Sequence, residues 1–273
     1  MLNEEQIQRY SRQILLKEIG ARGTNRLQKS TVGIVGIGGL GCIVAQMLAE
    51  VGVGKIVIID ADFVDLSNLS RQVLHFSEDL GKSKVQSAKE KIYKINPEIK
   101  VVAYAQFLTK QNICELLSGS DYIIECSDNI QTKFLVNDFC VVSGIPFTIA
   151  GAVQFYGQII SVLPKKSVCY RCLFRDSDYY QDEATCSAVG VLATVPNFAG
   201  ILEANECIKY LIGETPNFLN KIFGFDLFQG AFETIEIKQE PCCQLCRAEH
   251  SVEVYKKLEY KKLEESCKIS KSP

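Results

Sequence analysis

A chain of 273 residues, 47% hydrophobic and 23% charged, carries enough apolar material for one large domain or two small ones. Its formal net charge of −2 leaves no basic surplus for tracking a nucleic-acid backbone, so extended nucleic-acid binding is set aside. The opening MLNEEQIQRY is polar and excludes a secretory signal, and the longest apolar run, Val32 to Ala45, falls well short of the roughly 20 residues of a membrane span. These features predict a cytoplasmic protein with no membrane partner. Twelve cysteines are many for that compartment if they were paired, because thiols stay reduced there.

In chain order, Ile7, Tyr10, Ile14 and Leu15 recur at helical spacing and predict an N-terminal helix with Arg9 and Arg12 on its polar side. Strand-like and helical patterns then alternate. TVGIVG precedes a helix over about 40–51, KIVIID one over about 82–95, IKVVAYA a short one over about 110–117, and DYIIEC one over about 132–142, before PFTIA. Apolar strands separated by amphipathic helices require a parallel sheet covered on both faces, so the expected class is α/β and Rossmann-like. After Ala150 the pattern changes. GQIISVLP, NKIFGFDLF and ETIEIK read as strands of a mixed or antiparallel C-terminal extension, with a long helix over about 196–211 among them. No Pro/Ser-rich linker divides the chain, so a single domain is expected over 1–247, in parts of about 30–150 and 151–247. The rest, 248–273, is charge-rich and reads as a helix followed by disorder.

Gly36, Gly38 and Gly41 satisfy G-x-G-x-x-G between a strand and a helix, with Gly39 inside the same GIGGLG turn. Such glycines allow a tight turn and close approach of phosphate to a helix N-terminus. Asp60 closes the next strand about 20 residues on, where an acid accepts hydrogen bonds from ribose hydroxyls. The motif alone would suit a nicotinamide enzyme, but DFVDLSNLSRQ adds Asn68, Arg71 and Gln72, and GKSKVQSA adds Lys84. Two cations beside a phosphate turn suit a triphosphate better than the two phosphates of NAD. Asp128 follows the strand YIIEC at what would be the ligand crevice, where a carboxylate can meet phosphate-bound Mg²⁺.

Taken in order, RYSRQILL, GIGGLG, DADFVDLSNLSRQ, GKSKV and SDN resemble the ThiF/MoeB/HesA family, relatives of ubiquitin-activating enzymes, over about residues 5–246. The resemblance implies a ThiF/MoeB-type adenylation domain. It would bind MgATP and activate the C-terminal glycine of a small ubiquitin-like sulfur carrier of ThiS/MoaD type as an acyl-adenylate. Asp60 would hold the ribose; Asn68, Arg71 and Lys84 would contact phosphates; Asp128 would serve the metal. Arg12, by the match of RYSRQ, would reach into the other protomer of a homodimer. The second part of the domain would dock the carrier, and a separate donor, such as a cysteine desulfurase or rhodanese, would supply sulfur. Displacement at the α-phosphorus asks for cations more than for a histidine apparatus, and the chain holds only His75 and His250.

CYRC supplies Cys169 and Cys172, and PCCQLC supplies Cys243 and Cys246, two C-x-x-C knuckles suited to a closed tetrahedral Zn²⁺ site. Cys242 could replace Cys243 on spacing alone, and the resemblance favours Cys243. Cys186 lies on a segment that in the family crosses the adenylate site; it is either a nucleophile or a bystander thiol. Cys42, Cys114, Cys126, Cys140 and Cys207 sit in apolar stretches and read as core residues. Two rival functions stand beside this one: an NAD-dependent oxidoreductase, and a noncatalytic partner-binding subunit of a split activating enzyme.

Overall fold

The computed structural model describes residues 2–174, 189–238, 240–241, 243, 245–246 and 251–258. Three short helices open the chain: α1 (Glu4–Arg9), α2 (Ser11–Ile14) and α3 (Gly20–Lys29). The first half then alternates β1 (Thr31–Val35), α4 (Gly39–Val51), β2 (Lys55–Ile59), α5 (Lys84–Ile95), β3 (Lys100–Tyr104), α6 (Ile113–Leu117), β4 (Tyr122–Glu125), α7 (Ile130–Ser143) and β5 (Phe147–Val153). Next come β6 (Tyr156–Val162), α8 (Tyr170–Leu173), α9 (Thr194–Ile212), β7 (Lys221–Asp226), β8 (Ala231–Glu236) and α10 (Ser251–Lys257).

The eight strands among the described residues form one sheet, ordered β3-β2-β1-β4-β5-β6-β7-β8. The pairs from β3 through β5 are parallel, and β6, β7 and β8 each add antiparallel. The Rossmann-like class and its antiparallel extension are therefore as expected. Chain direction follows from the connections. Helical crossovers return the chain to the same edge for the first five strands, whereas Gln154 and Phe155 turn β5 directly back into β6.

Side chains alternate between two cores. Val32, Ile34, Ile56, Ile58, Tyr122 and Ile124 pack under α4, α5 and α9, whereas Val35, Ile59, Ile123, Phe147 and Ile149 pack under α6 and α7. Because both faces are covered, β1, β2 and β4 are buried almost end to end, which is why they read as continuous apolar runs. β8 closes the sheet with all six residues exposed.

The N-terminal reading needs correction. The expected single helix breaks at Tyr10, and a third helix, α3, was not anticipated. Tyr10 is buried and its hydroxyl accepts from Asn96, but Ile7 is 50% and Leu15 75% exposed. The spacing marks an apolar face of which Tyr10 is buried and Ile14 half-buried, while Ile7 and Leu15 find no cover among the described residues. Cys114 is likewise exposed rather than core, on the outer side of the short helix α6, while Cys42, Cys126, Cys140 and Cys207 are buried.

Candidate active site and cysteine centre

β1 runs to β2 on one side and β4 lies on the other, so the sheet has its switch point at the C-terminal ends of β1 and β4. The glycine turn sits there. Gly36 has φ +91°, and a Cβ on it would lie 3.0 Å from the Cys126 carbonyl. A Cβ on Gly41 would come within 1.9 Å of the Gly36 carbonyl oxygen, so the helix can pack this close only without a side chain. Among the described residues no side chain caps α4, so its leading N–H groups can face an anion.

A buried histidine and a half-buried carboxylate brace this turn from behind. His75 sets Nε2 3.2 Å from the Ile37 carbonyl and Nδ1 2.9 Å from the Ser87 hydroxyl. A carbonyl only accepts, so the proton is on Nε2; burial lowers the ring's pKa and favours that neutral form. Asp60 accepts the Ile37 N–H at 2.7 Å and the Asp62 N–H at 2.8 Å. Burial raises its carboxyl above the usual range while Lys84 opposes that rise. A carboxylate offers about four acceptor sites, so ribose hydroxyls can still be accommodated.

A cavity of about 400 Å³ opens at this point, a size suited to a nucleotide. Its walls include Gly36, Gly38, Gly39, Asp60, Asn68, Arg71, Gln72, Lys84 and Asp128. Asn68 ends a short helical turn, Leu66–Asn68, that Asp65 caps by accepting the Ser67 N–H at 2.9 Å, and Arg71 follows it. The Arg71 guanidinium rests on the Ser67 carbonyl at 2.9 Å. Gln72 is buried, and its side-chain oxygen has no hydrogen-bond partner among the described residues, an open acceptor at the cavity wall. Lys84 begins α5 and sets Nζ 2.8 Å from Asp62. Burial works against its charge, but Asp60 and Asp62 outweigh it and its pKa is raised, so it stays a cation.

Asp128 lies three residues past the end of β4, in the loop before α7, rather than on the strand itself. It is exposed and makes no hydrogen bond among the described residues. A free carboxylate facing a cavity with two cations fits hard-cation chemistry completed by phosphate oxygens and water. Gly41 lies off the cavity wall and serves packing. Arg12 is exposed on α2, and its neighbour Gln13 donates to Val51 at the far end of α4. That end is about 20 Å from the glycine turn by helix rise. Cys186 lies outside the described residues. The sequence reading missed Asp62, His75 and the buried pair Glu125 and Lys133; only the D-x-D spacing of Asp60 and Asp62 was visible in the chain.

The four expected knuckle cysteines do converge. Cys169, Cys172, Cys243 and Cys246 have all their sulfurs within 4.8 Å of one another. Sγ separations are 3.9 Å for Cys169 and Cys172, 3.7 Å for Cys169 and Cys243, and 3.5 Å for Cys172 and Cys246. A tetrahedron with Zn–S bonds of about 2.3 Å has edges of about 3.8 Å, so the cluster could hold zinc. Hydrogen bonds among the thiols push their pKa values apart, lowering that of Cys172 to about 7 and also that of Cys243, while those of Cys169 and Cys246 rise. Cys242 lies outside the described residues. The first knuckle is docked on α7: Arg171 grips Asp138 at 2.6 Å, and the Tyr170 N–H donates to Asn137 at 2.8 Å.

A mostly parallel sheet with a phosphate turn at its switch point, an antiparallel extension and a four-cysteine cluster defines a class of nucleotide-binding protein. The ThiF family model matches residues 10–246, and the chain belongs to that family. It is 37% identical over 269 residues to the SAMP-activating enzyme E1 of Haloferax volcanii, covering 98% of each chain. It is 34% identical over 248 residues to the sulfur carrier protein adenylyltransferase of Thermus thermophilus, covering 89% of this chain and 92% of that one. Against adenylyltransferase and sulfurtransferase MOCS3 of Sus scrofa it is 40% identical over 246 residues, 90% of this chain, but spans only 54% of that protein. The crystal structure of E. coli MccB with ATP superposes at a TM-score of 0.76 with 28% identity, covering 87% of this chain and 74% of that one. These likenesses make the chain a ThiF/MoeB-type adenylyltransferase; none supports an NAD-dependent oxidoreductase or a noncatalytic subunit. No helix among the described residues is long and apolar enough to cross a membrane.

Proposed function

We propose that this chain uses ATP to adenylate the C-terminal glycine carboxylate of a small ubiquitin-like sulfur carrier of ThiS/MoaD type, releasing pyrophosphate. One observation carries the reading: a single cavity at the switch point gathers Asp60, Asn68, Arg71, Gln72, Lys84 and Asp128 around an uncapped helix N-terminus. The carrier carboxylate attacks the α-phosphorus, the α–β anhydride breaks, and pyrophosphate leaves with the electron pair. Asp60 holds the ribose. Asn68, Arg71, Gln72 and Lys84 bind phosphates, and the two cations stabilise charge that builds on the leaving group. Magnesium, held by Asp128 together with the phosphates, would supply further neutralisation of that charge. Zinc on Cys169, Cys172, Cys243 and Cys246 would be structural, since four thiolates leave no open coordination position.

The same reading takes 1–247 as one adenylation domain, with 248–273 as an appended tail. The carrier docks on the exposed sheet end, where Phe228, Phe232 and Ile235 are exposed and the Phe155 ring packs at a tilt 5.0 Å from that of Phe228. An apolar sheet with a flexible tail threaded into the cavity is a workable recognition mode. The protein works in the cytoplasm without nucleic acid or membrane, and a separate cysteine desulfurase or rhodanese provides the sulfur. Carrier-dependent exchange of labelled pyrophosphate into ATP tests the reading; its absence with every glycine-ended carrier would overturn it.

A homodimer is part of the proposal, with Arg12 of each chain serving the other's phosphates. Its support is the distance of α2 from its own cavity and the uncovered apolar side chains Ile7, Leu15 and Leu16. Arg12→Ala and Asp128→Ala chains, each inactive alone, should regain exchange on mixing, because one site of the heterodimer then carries neither change. Verified heterodimers of differently tagged chains that stay inactive would remove the trans assignment.

A further inference from the structure

A buried ammonium stands directly behind the loop that carries Asp128. Lys133, in the first turns of α7, donates to the Ser127 and Ala150 carbonyls at 2.7 Å each and pairs with Glu125. Its three N–H donors thus have three acceptors, on the loop, on β5 and at the end of β4. Glu125 is fully buried, and its other oxygen accepts the Ser127 N–H at 2.9 Å and also the Ser127 hydroxyl. Ser127 is therefore held at its N–H, its hydroxyl and its carbonyl by one ion pair. On the other flank, Asn129 caps α7 by accepting the Thr132 N–H at 3.0 Å. Between these two anchors, Asp128 has a side chain with no hydrogen bond among the described residues.

Other ionisable groups converge on Lys133. Glu203 faces it from α9 and Tyr170 from α8. Glu203 is buried, its Oε2 lies 3.6 Å from the Cys126 sulfur, and burial pushes its carboxyl well above the ordinary range. Burial raises the Glu125 carboxyl as well, with Lys133 opposing that rise, but Glu125 is the carboxylate that Lys133 bonds directly, and it is the one gripping Ser127. A pair that only filled the core could be replaced by apolar side chains without loss. This pair instead distributes its hydrogen bonds over the residue next to Asp128.

We infer that Lys133, acting through Glu125 and Ser127, is a positioning residue that fixes the Asp128 carboxylate at the mouth of the nucleotide cavity. The inference rests on the role given to Asp128 above. Its test compares binding of a fluorescent ATP analogue in EDTA and in Mn²⁺, alongside exchange kinetics. Glu125→Gln with Lys133→Met leaves no buried charge unpaired. This double variant should bind the analogue in EDTA within about twofold of wild type. It should lose about tenfold of the Mn²⁺-dependent tightening and about 100-fold in kcat for exchange. Lys133→Arg, which keeps charge and donors, should retain most of the metal-dependent gain.

Ser127→Ala covers the case in which the double variant does not fold. It deletes a single hydroxyl from a part-exposed loop and should lose about fivefold of the Mn²⁺ effect. Wild-type metal dependence in a folded double variant, or in Ser127→Ala if the double variant is unfolded, overturns the inference. Asp128→Ala separates the two levels. Wild-type metal dependence in that variant overturns the metal role of Asp128 itself, whereas its loss there with none in the Lys133 series overturns only the positioning.

Discussion

Asp128→Ala is expected to reduce carrier-dependent ATP–pyrophosphate exchange by about 10²–10³-fold while the protein unfolds at the wild-type temperature. The two halves of this expectation have separate grounds. Asp128 is exposed and forms no hydrogen bond among the described residues, so its removal should change stability by no more than about 0.5 kcal/mol. The site depends on it because Asp60 already accepts two backbone N–H groups and Asp62 is paired with Lys84. Among the described residues, no other carboxylate on that wall is without a partner. The measurement is exchange at saturating ATP and Mg²⁺, with a thermal melt as the control. Wild-type exchange in a folded Asp128→Ala protein would show that the metal and phosphates are held elsewhere.

Cys172→Ser should act in the opposite order, on the fold first and on exchange only through it. The wild-type chain should carry about one zinc equivalent, and the variant should carry almost none, with Tm lower by about 10 °C or more. The reason lies in what the cluster joins. Cys169 and Cys243 are 74 positions apart along the chain, so the cluster cross-links distant segments, and without a cation its thiolates would repel one another. Arg171 and Tyr170 bond the first knuckle to Asp138 and Asn137 in the middle of α7, so loosening it should reach the helix that begins beside Asp128. Metal analysis and calorimetry decide the matter. A chain equally stable with no detectable metal refutes the zinc assignment, and chelation of the wild type should reproduce the variant's melt.

What could be read from the chain alone were features in which a short stretch carries its own physical requirement. GIGGLG needed no partner to be recognised, because a strand that turns abruptly into a helix around phosphate must lack side chains at Gly36 and Gly41. The two C-x-x-C knuckles were equally plain, since thiolates at that spacing suit one tetrahedral metal. Continuous apolar runs at β1, β2 and β4 announced a sheet covered on both faces. In each case spacing along the chain and the chemistry are the same fact.

The tertiary structure decided everything that depends on which element lies beside which. Hydrophobic periodicity reports that a face is apolar and not what covers it, so Ile7 and Leu15, spaced as one helix face, emerge exposed on either side of a helix break at Tyr10. Ionic partners are hidden for a related reason. Glu125 and Lys133 meet because α7 folds back over the end of β4, and Lys84 meets Asp62 because α5 starts where the loop after β2 passes. Residues 36, 60, 84 and 128 form one cavity only because β4 crosses to the far side of β1, a choice of strand order made by packing of helices on both faces rather than by any local stretch of sequence.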